Sequence, residues 1–91
     1  MEAYLKLEKV EEEAIIKLML SVKTKTNSTT IGGIMKNNLP IDENVLPSVN
    51  VLKSLLKKEI LKVLGKDYSF TSSFLSYMGL RRNSAVYKQI F

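Results

Sequence analysis

The stretch PSVNVLKSLLKKEILKVLGKDYSF, Pro47 to Phe70, decides between two folds. Read as one helix from Pro47 to Leu64, it puts Val49, Leu52, Leu56, Ile60, Val63 and Leu64 on one apolar stripe. Pro47 suits the first turn, where a missing N–H costs nothing, and Gly65 suits the C-terminal stop. Lys58, Lys62 and Lys66 then share the opposite face, with Val51 and Leu55 one and two turns earlier on the same side. An apolar pair on a wet face predicts an interface, with the N-terminal helices or another subunit; core packing on both sides is the plainer account.

The second reading confines the helices to residues 10–57 and folds EILKVLGKDYSF, Glu59 to Phe70, into a β-hairpin. Gly65-Lys66-Asp67 would be its turn, with Tyr68 and Phe70 on a strand. Asn50, Lys53, Ser54, Lys57 and Lys58 would then form the outward face of the preceding helix. β-Branching is too sparse to settle the choice, and the long loop from Leu39 to Leu46 favours the single helix, so the hairpin, at about 59–72, stands as the alternative.

Upstream, Ala14, Ile15, Leu18, Met19 and Val22 recur at helical spacing from Val10 to Val22, behind Glu11 to Glu13 in a first turn where acids complement the helix dipole. The preceding AYLKLE is compatible with more helix or a short strand. Ser28 or Thr29 is positioned to cap a short helix through Lys36, in which Gly32-Gly33 lowers helix propensity and suits close backbone approach. Asn37-Asn38-Leu39-Pro40 ends it. Downstream, Phe70, Phe74, Leu75 and Met78 predict a helix capped by Thr71 or Ser69 and terminated at Gly79, and Asn83 or Ser84 caps a last helix carrying Val86, Ile90 and Phe91.

Composition narrows the function classes. Ninety-one residues suit one domain, 1–91, and the chain has neither cysteine nor histidine. A zinc site would need carboxylates alone, and the usual base and nucleophile pairs cannot be assembled, so neither an enzyme nor a cofactor is expected. STTIGG lacks the spacing and the Lys-Ser/Thr ending of a phosphate-binding loop. No run reaches the roughly 18 apolar residues of a membrane span, and the acidic N-terminus is unlike a signal peptide, so the expectation is an intracellular protein with no membrane partner. Charge is divided unevenly: residues 1–45 sum to −1 and residues 46–91 to +6. A basic half beside a near-neutral half points to a polyanion on one side.

Within that basic half, FLSYMGLRRNSAVYKQI, Phe74 to Ile90, resembles the helix-turn-helix superfamily of DNA-binding proteins. The resemblance covers half of the chain, with the helix from Pro47 as support, and implies a mostly α fold with a C-terminal helix-turn-helix. It implies Gly79 at positive φ in the turn, Leu80 as an apolar plug beneath it, and Arg81, Arg82 and Asn83 entering the major groove, followed by Ser84 and Lys88. Arginine suits guanine or phosphate and asparagine suits adenine, while Lys58, Lys62 and Lys66 would anchor phosphates. Leu75 departs from the pattern, which prefers a small residue there. The hairpin layout would instead be a winged helix, with STTIGGIMKNNLP as the helix before the turn and the helix from Pro47 in the groove. Both imply double-stranded DNA as partner, a homodimer, and a transcriptional or genome-maintenance role. The alternative is a non-enzymatic interaction module, an accessory subunit of a larger protein partner, docking through Val51 and Leu55.

Overall fold

A computed structural model describes residues 6–37 and 39–91. Five helices and one two-stranded antiparallel sheet follow in the order α1 (Lys9–Thr26), α2 (Ile31–Lys36), α3 (Val49–Lys57), β1 (Leu61–Leu64), β2 (Asp67–Phe70), α4 (Ser72–Leu80) and α5 (Ala85–Ile90), with a 3-10 turn at Glu43–Val45 before α3. The fold is thus mostly helical with a small β-hairpin. The alternative at Glu59–Phe70 holds, and the single helix to Leu64 does not.

The reversal at Glu59 explains why. Its backbone is left-handed, at φ 59°. The Ile60 amide donates to the Leu55 carbonyl and the Glu59 amide to the Leu56 carbonyl, both at 3.0 Å, the paired bonds of a Schellman stop. Leu55 and Ile60 are both fully buried, supplying the apolar contact that accompanies this motif. The chain then pairs Leu61 with Phe70 and Leu64 with Asp67 around Gly65, whose φ of +65° suits the first position of a two-residue hairpin turn. At the base, the Thr71 amide donates to the Ile60 carbonyl at 3.0 Å, and its hydroxyl accepts from the Phe74 amide, capping α4. Of the two predicted caps for that helix, Thr71 is the one used, and Phe70 belongs to the strand.

α1 is longer than Val10 to Val22, running from Lys9 to Thr26 and stopping at left-handed Asn27, φ 53°. Thr30, rather than Ser28 or Thr29, caps α2 by accepting from the Gly33 amide at 3.1 Å. Ser28 is buried and bonded to the Thr26 hydroxyl, so it is occupied elsewhere. The connection before α3 is long because it reaches the hairpin: Ile41 is buried, and its amide donates to the Tyr68 carbonyl at 2.8 Å. α3 begins at Val49 with Ser48 as N-cap, leaving Pro47 just outside. AYLKLE falls partly outside the described residues; Lys6 to Glu8 are irregular.

One core joins all the helices and the hairpin base. Ile15, Leu18, Met19 and Val22 of α1 meet Ile34, Leu55, Leu61, Phe70, Phe74 and Leu75 in it. α5 lies on α1, and α4 lies on α2. Gly79 is inside α4 and allows that second packing, since a Cβ there would sit 3.2 Å from Ile31 Cγ2. It therefore neither terminates the helix nor holds a positive-φ turn. Leu80 is 76 % exposed and plugs nothing, whereas Leu55 is a core residue and Val51 is half-buried against it, which is the plainer of the two accounts of that pair.

Candidate nucleic-acid interface

Two basic regions reach the surface. On α3, Asn50, Lys53 and Lys57 are exposed at spacings of three and four, hence on one helical face, and Val49 precedes them, also exposed. The opposite side of α3 supplies Leu55 to the core, with Val51, Leu52 and Leu56 half-buried against it. Immediately after the Schellman stop the hairpin projects. Leu61 and Phe70 anchor its base in the core, while Lys62, Val63, Leu64, Gly65, Lys66 and Asp67 are all exposed towards the tip. Lys62 and Lys66 are therefore exposed cations on a strand and a turn rather than members of a helical stripe.

Lys58 has a different environment. It is the C-cap of α3, and its ammonium lies 2.6 Å from Glu11 Oε1 and 3.1 Å from the Lys6 carbonyl. Ser54 donates its hydroxyl to the other Glu11 oxygen, and the Glu8 amide donates to Oε1 at 2.9 Å. Burial pushes the Glu11 carboxyl up, but the Glu8 amide, the Lys58 ammonium and the Ser54 hydroxyl outweigh it and hold the group below the ordinary carboxylate value. Lys58 and Ser54 are thus engaged in fastening α3 to the first turn of α1, not displayed to a ligand. Sequence gave no sign of this pair, whose members are 47 positions apart.

The second region is the turn between α4 and α5. Arg81, Arg82 and Asn83 are exposed there, and Lys88 is exposed on α5. The Arg81 guanidinium lies over the Tyr77 ring, 5.1 Å from its centroid, and shares a cleft of about 180 Å³ with Glu12, Leu7 and Met78. Ser84 accepts from the Tyr87 amide at 3.1 Å, so its hydroxyl caps α5. α5 has six residues and turns Val86 and Ile90 into the core. Lys23 of α1 fastens its end, donating to the Ile90 carbonyl at 2.7 Å.

Sequence reasoning brought Asn50, Lys53 and Lys57 forward only through the hairpin layout, and missed the exposed apolar residues beside them. Val49, Val63 and Leu64 are 63 %, 59 % and 56 % exposed, although the helical stripe predicted all three to be inside. Among the described residues no group of three acidic, histidine or cysteine side chains is placed to hold a metal ion, and no helix is long and apolar enough to cross a membrane. Comparison with protein families, curated proteins and solved structures finds no match to this chain.

Proposed function

We propose that this is a small non-enzymatic DNA-binding protein that engages duplex DNA through α3 and the projecting hairpin, in the manner of a winged helix. The observation that carries this reading is the juxtaposition, within seventeen consecutive positions, of an exposed Asn50–Lys53–Lys57 helical face and a hairpin whose exposed end bears Lys62 and Lys66. A helix face of polar and basic residues fits a major groove, and lysines on an adjacent projection fit the flanking phosphates. The α4–α5 turn supports this reading less well, because α5 is short and its Ser84 hydroxyl and one face are committed internally. Arg81 and Arg82 remain suited to an auxiliary phosphate contact.

Fluorescence anisotropy with a mixed-sequence duplex over a range of salt tests the reading. The expected result is a linear log–log fall in affinity, with a slope of about 0.9 for each phosphate neutralised. Lys53→Ala/Lys62→Ala lowers that slope by nearly two such units, and Arg81→Ala/Arg82→Ala leaves most of the affinity in place. Loss of binding in the arginine variant alone would return the reader to the C-terminal pair. Absence of binding to any duplex at low salt would remove DNA as the partner.

A further inference from the structure

We infer that the N-terminal end of α3 prefers A·T base pairs, which it reads in the major groove through Val49 and Asn50. This rests on the DNA-binding reading above and adds a base composition to it. Val49 and Asn50 are the first two residues of α3, the end of a recognition helix that contacts base edges. Val49 presents a branched apolar side chain that is 63 % exposed at the start of the helix. The thymine C5-methyl is the one apolar group on a base edge of the major groove, so it is the matching partner for this side chain. Asn50 is exposed, and no hydrogen bond to another described residue occupies its amide. A free carboxamide pairs bidentately with adenine N6 and N7.

The residues missing from this face agree. Arginine is the commonest reader of guanine, and both arginines, Arg81 and Arg82, are at the α4–α5 turn, with none in α3 or the hairpin. Lys53 and Lys57 are the guanine-capable side chains here, and they lie one and two turns further from the helix start than Asn50. Thymine methyl and adenine edge therefore both find a partner at the tip of α3, and guanine finds none.

Competition binding at physiological salt separates the possibilities with four duplexes of one length: A·T, G·C, the A·T duplex with uracil replacing thymine, and an inosine·C duplex. Inosine·C carries a G·C-like major groove and an A·T-like minor groove. The expected order is A·T about tenfold tighter than G·C, with inosine·C grouped with G·C. Uracil, which lacks only the methyl, costs about fourfold. Val49→Ser abolishes the thymine–uracil difference, and Asn50→Ala shrinks the A·T–G·C ratio without changing the salt slope. Equal, salt-dependent affinity for A·T and G·C would overturn the inference and leave the DNA-binding reading intact. So would inosine·C grouping with A·T, which would move the preference to the minor groove. Failure of all four duplexes to bind at low salt would remove both together.

Discussion

Glu11 shows how a single buried side chain decides which neighbouring lysines face solvent. Its side chain is 4 % exposed and its carboxylate accepts from Glu8, Lys58 and Ser54, so removing one partner leaves a buried charge under-compensated. Lys58→Met should cost about 2 kcal/mol in urea unfolding, less than a fully buried pair because the Lys58 side chain is 22 % exposed. The folded-state pKa of Glu11 lies below its ordinary 4.5, so its stabilising contribution is complete above that value and is lost as pH falls through the lower folded one. Glu11→Gln is therefore less stable than wild type at neutral pH, and the two unfolding curves converge in acid. Curves that stayed parallel down to acid pH would show that the ion pair does not set this difference. Gly79 makes the complementary point about space. With Ile31 Cγ2 only 3.2 Å from where a Cβ would sit, Gly79→Leu should destabilise by about 1–3 kcal/mol, and a thermal melt reads this directly.

At the scale of elements, the hairpin hinges on one residue with an unfavourable backbone. Glu59 holds φ 59°, a conformation that costs an ordinary L-residue roughly 1–2 kcal/mol and glycine almost nothing. Glu59→Gly should melt above Glu59→Val, because both lose whatever the glutamate side chain contributes and only valine, branched at Cβ, carries the cost of this backbone. The reverse order would mean that the positive φ at this position does not limit the hairpin. The same residue explains what was legible in the sequence. The helices before α3 and after the hairpin were readable in place, though not in every limit, because capping hydroxyls and apolar spacing agree: Thr71 and Ser84, each one of two caps predicted, are the ones used, and α1 buries Ile15, Leu18, Met19 and Val22. α3 was over-extended because Ile60, Val63 and Leu64 preserve helical spacing beyond a stop that carries no glycine. Leu61 and Phe70 reveal the strand period only once their pairing is known. Of the candidate surface, Lys62 and Lys66 were legible by charge, but Lys58 was not separable from them, because its partner is distant in sequence. Val63 was assigned inward for the same reason that the helix was drawn too long, whereas Val49 keeps the spacing of Leu52 and Leu56 but sits at the exposed start of α3.

At the scale of the whole molecule, the question is whether the +5 net charge or its local arrangement would capture a polyanion. The protein extends 29 × 27 × 19 Å. The screening length is about 8 Å at physiological salt and about 30 Å at 0.01 M, so a charge on the far side acts at the interface only in dilute salt. Two quadruple variants with identical net charge separate field from patch. Lys53→Gln/Lys57→Gln/Lys62→Gln/Lys66→Gln removes the exposed cations of α3 and the hairpin. Lys9→Gln/Lys17→Gln/Lys25→Gln/Lys36→Gln removes four exposed cations of the N-terminal half. All eight side chains are exposed, so both variants should unfold within about 0.5 kcal/mol per site of wild type, which guards against reading misfolding as lost binding. At 0.01 M salt both variants should bind duplex DNA more weakly, because the field of the whole molecule reaches the interface. At physiological salt the first should lose nearly all affinity and the second should match wild type. Equal losses at both salt concentrations would mean that the protein attracts DNA only as a diffuse cation, with no surface of α3 and the hairpin set against it.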